Sequence, residues 1–111
     1  MATLDTYRTY IQKVLSDYAG EGRNLDGIER QLTFDTQRDH YHLFNVGWRN
    51  KRRFHGCVLH VDLKDGKIWI QHNGTEVDIP QKFLDLGVPK QDIVLGMHDP
   101  FTRQFTGFAL G

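Results

Sequence analysis

The sequence predicts an α+β fold, in which an N-terminal helix packs on a four-stranded, mostly antiparallel β-meander that is followed by short C-terminal helices and a tail. Two observations support this prediction. Apolar residues recur every three or four positions over residues 5–18, which is typical of an amphipathic helix. Residues 40–74 instead alternate between apolar and polar side chains on either side of tight-turn signals, which is typical of consecutive strands.

Each element follows from a local pattern. The apolar face of the first helix consists of Tyr7, Tyr10, Ile11, Val14, Leu15 and Tyr18. Strands are predicted at residues 29–36, 40–48, 53–63 and 67–72. A further helix is predicted over residues 78–87, where Asp78 can cap the first turn and Gly87 ends the apolar pattern. The tail from residue 93 onward is either irregular or an additional edge strand.

The turns set the pairing of the strands. Asp65-Gly66 is a strong hairpin signal, because a type I′ turn needs two residues that tolerate positive φ. A two-residue loop there pairs Leu63 with Ile68 and Val61 with Ile70. The turn near residues 49–51 is uncertain by one step in register. The loop at residues 37–39 has two or three residues, which leaves the facing of the first strand open.

Strict alternation along the strands divides the sheet into two faces. The face predicted to form the core, beneath the first helix, carries Phe44, Val46, Trp48, Cys57, Leu59, Val61, Leu63, Ile68 and Ile70. The second face carries Tyr41, Leu43, Asn45, Phe54, Gly56, Val58, His60, Asp62, Trp69 and Gln71. On it, the group Tyr41, Phe54, His60 and Trp69 is predicted to be a small second core under the residue 78–87 helix, a protein interface or a ligand pocket.

The composition limits the possible functions. The chain has 111 residues, which is the size of one domain, and its 14 basic residues equal its 14 acidic ones. This balance argues against strong autonomous binding of nucleic acid and favours a homo-oligomer. The single Cys57 excludes an internal disulfide, and no apolar stretch is long enough to span a membrane. We therefore expect a cytoplasmic protein that does not contact membranes.

Four segments resemble a known family. They are FDTQRDHYHLFNVGW (residues 34–48), KRRFHGCVLHVDLKDGKIWIQHNGTE (residues 51–76), GVPKQDIVLG (residues 87–96) and TGFAL (residues 106–110). In this order they resemble the XisI family of cyanobacterial proteins, which is named for the controlling factor of fdxN-element excision. The resemblance extends over nearly the whole chain, as one XisI-like domain over residues 1–111.

The resemblance implies an α+β homodimer with an accessory, regulatory role in programmed DNA excision. In that role, the protein acts by contact with a companion XisH-like protein, a site-specific recombinase, or both. It implies no enzymatic activity, no catalytic residue and no cofactor. Fold and family do not by themselves fix function.

The histidines support an alternative hypothesis, a small metal- or nuclease-associated enzyme. Alternation places the weak metal-ligand candidates His40, His42, Cys57 and His72 on one face, where imidazoles and a thiolate can bind zinc. Cys57 and His60 are three residues apart in a strand, so they are predicted to point to opposite faces. The structural alternative is that each histidine has a hydrogen-bond partner at the sheet margin, and no metal is predicted.

A basic turn supports a second alternative, a direct DNA-binding factor. The cluster consists of Arg49, Lys51, Arg52 and Arg53. Guanidinium groups match phosphate oxygens well, so this cluster can contact a DNA backbone. The structural alternative is a solvated hairpin tip.

Overall fold

The structure is a computed structural model, which describes residues 2–21 and 27–111. Its first element is helix α1, Ala2–Glu21, which is longer at both ends than the predicted residues 5–18. The strands are β1 Ile28–Asp35, β2 His40–Arg49, β3 Arg52–Lys64, β4 Lys67–Asn73 and β5 Ile93–Leu95. The C-terminal half adds helix α2 Ile79–Asp85, a 3₁₀ turn Lys90–Asp92 and helix α3 Pro100–Arg103.

The sheet confirms the α+β class and has one strand more than predicted. Its order is β1-β2-β3-β4-β5, with antiparallel pairs from β1 to β4 and a parallel pair between β4 and β5. Strand β5 has only three residues, all buried, so it shows no alternation by which a sequence pattern could identify it. α2 lies in the connection that allows β5 to run parallel to β4.

The hairpin turns follow the residues that tolerate positive φ. Asp65 and Gly66 have φ of 54° and 75°, and the predicted pairs of Leu63 with Ile68 and Val61 with Ile70 are confirmed. At the other hairpin, Asn50 and Lys51 form the loop, with φ of 51° and 67°, and Arg49 pairs with Arg52. The loop between β1 and β2 has four residues, 36–39, because Asp35 pairs with His40, so the prediction of a two- or three-residue loop is wrong.

The main core lies between α1 and one face of the sheet. Its fully or nearly fully buried residues from α1 are Tyr7, Ile11, Val14 and Leu15, and Tyr10 and Tyr18 pack against it, as predicted. Helix α2 lies beside α1 and contributes Ile79 and Phe83 to the same core. The prediction that this helix covers the second sheet face is therefore wrong.

A β-bulge changes which side chains share this core. Phe44 pairs with Cys57 and Leu43 pairs with Leu59, so Val58 has no partner on β2. The extra residue interrupts strict alternation on β3. The predicted faces are therefore wrong for β2 and for the part of β3 that precedes the bulge. The predicted core residues that lie on the second face are Phe44, Val46, Trp48 and Cys57. The residues that lie on the α1 side instead are Tyr41, Leu43, Asn45, Phe54 and Gly56, of which Tyr41 and Leu43 are fully buried. Val58, which was also predicted on the second face, packs against the main core.

The C-terminal segment covers one end of the second face. Trp69, Val94 and Ala109 form a small separate core there, and Arg103 lies over the Trp69 ring at 5.1 Å from its centre. At the other end of the face, Trp48 is 57% exposed. Among the described residues, no helix has the length and apolar character needed to cross a membrane.

Candidate functional site

A buried carboxylate organises the polar part of the second face. Asp62 is 8% exposed, and its Oδ1 is bonded to both His40 Nδ1, at 2.9 Å, and His60 Nε2, at 2.8 Å. Its Oδ2 accepts a hydrogen bond from Gln71 Nε2 at 3.3 Å. The sheet creates this arrangement, because His40 is the cross-strand partner of Asp62 and His60 lies two residues before it on the same face.

The charge state of this cluster follows from its contacts. Burial raises the pKa of Asp62, but the hydrogen bond from His40 and the charge of His60 lower it more, so the net pKa lies below the ordinary value. The His42 ring packs against His60, with 4.2 Å between ring centres. Burial, and then the charge of His60, lower the pKa of His42. At neutral pH the cluster therefore holds a carboxylate beside a neutral His42.

The predicted metal candidates share one face, as expected, but only His40 belongs to a close donor group. Within residues 2–21 and 27–111, the group of His, Cys, Asp and Glu donor atoms that lie within 4.8 Å of one another is His40, His60 and Asp62. The prediction that Cys57 and His60 point to opposite faces is wrong, because the bulge at Val58 lies between them. Cys57 Sγ donates to the Leu59 carbonyl, and burial raises the pKa of this thiol, so it remains protonated at neutral pH.

The four predicted interface residues do not share a surface. Tyr41 is in the main core, where its hydroxyl donates to Asp39, and burial followed by this contact raises its pKa. Phe54 is half-buried on the α1 side, with the Arg52 guanidinium 5.2 Å from its ring centre. His60 and Trp69 lie on the second face, His60 in the Asp62 cluster and Trp69 in the small C-terminal core.

Sequence reasoning missed an exposed part of the second face because it assigned four of its residues, Phe44, Val46, Trp48 and Cys57, to the core. We call it the open strip, and it consists of Phe44, Val46, Trp48, Arg53, His55 and Cys57. Cross-strand pairs build it: Phe44 with Cys57, Val46 with His55, and Trp48 with Arg53. The Arg53 guanidinium lies 5.4 Å from the Trp48 ring centre. An exposed Trp–Arg pair on a rigid strand frame has the chemistry of a protein contact site.

The basic turn lies at the end of the same hairpin. Arg49, Lys51, Arg52 and Arg53 are all exposed, as predicted for a hairpin tip. Within the described part of the chain, none of the four has an ion-pair partner. Arg52 and Arg53 instead lie over aromatic rings, which orient their guanidinium groups.

A second exposed apolar patch lies in the C-terminal segment. Phe101 and Phe105 are 68% and 73% exposed, and their rings contact edge to face with 5.4 Å between centres. Leu110 is also mostly exposed. The sequence left this segment unassigned, so it predicted no surface here.

The family model and the solved structures point to one family over nearly the whole chain. The XisI protein family model matches residues 1–110. A crystal structure of a XisI-like protein from Anabaena variabilis is 41% identical, with a TM-score of 0.93 over 97% of this chain and 99% of that chain. The crystal structure of fdxN element excision controlling factor XisI from Anabaena variabilis is 34% identical, with a TM-score of 0.84 over 98% of this chain and 99% of that chain. No curated protein matches significantly.

Proposed function

Since the chain belongs to the XisI family, we propose that it is a non-enzymatic accessory factor that controls excision of a DNA element through contact with a companion protein. The observation that carries the proposal is the similarity to fdxN element excision controlling factor XisI, at 34% identity over 98% of this chain and 99% of that one. Because so little of either chain lies outside the alignment, the two proteins share the same helices and strands, which supports a common function.

The proposed partners are an XisH-like protein and a site-specific recombinase, and the proposed contact surface is the open strip. Trp48 supplies a large apolar ring that is 57% exposed, and Arg53 lies over it. Trp and Arg are enriched among the few residues that dominate binding energy in protein interfaces. Strands β2 and β3 hold the strip in a fixed shape, so little conformational entropy is lost on binding.

The experiment measures binding of the purified protein to the XisH-like protein by isothermal titration calorimetry. Truncating a central interface Trp typically costs about 2 kcal/mol or more, which corresponds to roughly a 30-fold increase in Kd. We expect Trp48→Ser to show this loss. The matched control is Phe105→Ser, which removes an even more exposed aromatic ring from the C-terminal patch and should leave Kd unchanged.

Three results would contradict the proposal. If the wild-type protein does not bind the XisH-like protein, there is no companion contact. If Trp48→Ser binds with wild-type affinity, the contact does not lie on the open strip. If only Phe105→Ser loses affinity, the contact lies on the C-terminal patch instead.

A second candidate function is direct DNA binding, and it is favoured by the basic turn. Its four cations are exposed, and two are held on aromatic rings beside the turn. If they contact phosphates, each lost contact reduces the slope of log K against log salt by about 0.9.

The salt dependence of binding separates the two candidates. Under the preferred proposal, wild-type DNA binding is no tighter than the nonspecific range of roughly 10⁻⁴–10⁻⁶ M. Nanomolar binding that is lost when Arg49, Lys51, Arg52 and Arg53 are replaced by Ser would favour the DNA-binding function.

A further inference from the structure

We propose that His40, His60 and Asp62 form a binding site for a divalent transition-metal ion such as Zn²⁺. The site lies on the second sheet face, beyond the open strip, and the proposal does not depend on the proposed function. Its three donors are two imidazole nitrogens and a carboxylate oxygen. This ligand set suits zinc, iron, nickel and copper better than the oxygen-preferring calcium and magnesium.

Two of the three donor separations are already close to the spacing that a metal imposes. Asp62 Oδ1 lies 2.9 Å from His40 Nδ1 and 2.8 Å from His60 Nε2, and all three atoms lie within 4.8 Å of one another. With ligand distances of about 2.1 Å, adjacent donors are about 3.0 Å apart in octahedral geometry and about 3.4 Å apart in tetrahedral geometry. The two nitrogen–oxygen separations therefore match the first geometry and reach the second by side-chain shifts of about half an ångström. The two imidazole nitrogens, which lie within 4.8 Å of each other, have to reach a separation of about 3.0–3.4 Å when they bind an ion as adjacent ligands.

The surrounding residues hold the ligands in place. Gln71 donates to Oδ2 of Asp62, which leaves Oδ1 directed at the two imidazoles. The His42 ring packs against His60 and limits its rotation. Such outer contacts orient the ligands of metal sites and tune their affinity.

One ligand of the site is buried and another is exposed to solvent. Asp62 is 8% exposed, whereas the His40 side chain is 51% exposed, so an ion can enter past His40. Three protein ligands leave at least one coordination position for solvent or for a side chain of a binding partner. A divalent ion bound between Asp62 and the two imidazoles would take the place of the contacts with His40 and His60 that now stabilise this buried carboxylate.

The test uses tag-free, full-length protein that has been treated with EDTA and then dialysed. Titration with Zn²⁺ by calorimetry and with Co²⁺ by visible absorption should show one ion per chain, with Kd in the micromolar range, about 10⁻⁶ M, or tighter. Loss of one ligand should raise Kd at least tenfold, which corresponds to a loss of about 1.4 kcal/mol in binding free energy. We expect this in His40→Ala, whose exposed side chain can be removed without loss of the fold, and also in His60→Ala.

The control is His98→Ala, which removes an exposed histidine that lies outside this donor group. It should retain wild-type affinity, and circular dichroism confirms that each variant is folded. Zn²⁺ should also raise the Tm of the wild type but not that of His40→Ala. Wild-type binding weaker than about 10⁻⁴ M, or binding that His40→Ala and His60→Ala leave unchanged, would overturn the proposal.

Discussion

Leu43→Ala should destabilise the protein far more than Val46→Ala, because the bulge at Val58 turns Leu43, rather than Val46, towards the core under α1. Leu43 is fully buried under α1, opposite the equally buried Leu59. Val46 is only partly buried and lies in the open strip, opposite the exposed His55. Strict alternation predicts the reverse order, with Val46 in the core and Leu43 outside it.

The magnitudes follow from burial. Truncation of a buried leucine costs about 2–5 kcal/mol, and complete burial in a core without solvent contact puts Leu43→Ala in the upper part of that range, at about 3–4 kcal/mol. Val46→Ala removes two partly solvated methyl groups and should cost about 0.5–1 kcal/mol. For a chain of 111 residues, 1 kcal/mol corresponds to about 4 °C, so Leu43→Ala should lower Tm by roughly 12 °C or more.

Urea unfolding followed by far-UV circular dichroism measures both costs, provided that the variants share the wild-type m-value. Val61→Ala is the control, because alternation and structure both bury Val61, and it should cost about 1–3 kcal/mol. If Val46→Ala costs as much as Leu43→Ala or more, β2 has the facing that strict alternation predicts, and the bulge is refuted.

Three further outcomes are expected. Burial, and then contact with Asp92, raise the pKa of Tyr7 to about 12, so the folded state holds this proton more tightly than the unfolded state. The stability that this protonated tyrosine contributes should therefore be fully present below pH ~10 and be lost between about pH 10 and 12. Tyr7→Phe should reduce the fall in Tm over that range, and an unchanged fall would contradict the buried contact. Light scattering at tens of micromolar should give a homodimer or larger species, whereas a monomer would refute the proposed self-association. Replacing Arg49, Lys51, Arg52 and Arg53 by Ser should lower the free energy of unfolding by no more than about 2 kcal/mol, which is the combined contribution of the two exposed cation–π contacts, and a larger loss would mean that the basic turn is structural.

Local signals in the sequence predicted much of the fold. Asp65-Gly66 specifies a turn whose φ angles few residues tolerate, so the pairing of Val61 with Ile70 followed from two residues. The apolar face of α1 was similarly predicted from the spacing of its apolar residues, which recur every three or four positions.

The bulge could not be predicted in the same way. β3 can pair with β2 either with Val58 opposite a β2 residue or with Val58 as an unpaired extra residue. Which pairing is more stable depends on how many side chains each buries under α1, and that depends on β2, β3 and the helix together. Strand β5 is stabilised by its parallel pairing with β4 and by a bridge from Val94 to Ala109. Both partners are distant from β5 in the sequence, so no local pattern predicts this strand.

The histidine cluster was predictable in part. His60 and Asp62 are two residues apart in a strand, so the sequence places them on one face. The contribution of His40 needs the register of β2 against β3, and the bulge at Val58 sets that register. The open strip was hidden for the same reason, since an apolar Trp48 on a predicted strand is assigned to a core until the strand's facing is known.

The most direct test of the proposed function measures excision of the DNA element in cells that lack the endogenous gene and express wild-type, Trp48→Ser or Phe105→Ser protein. Junction-specific quantitative PCR gives the excised fraction, and immunoblotting confirms equal protein levels. If the protein controls excision through the open strip, cells with Trp48→Ser should match the gene deletion, and cells with Phe105→Ser should match the wild type. An excised fraction that is the same with and without the wild-type gene would contradict a role in excision control, and full function of Trp48→Ser would contradict the assigned contact surface.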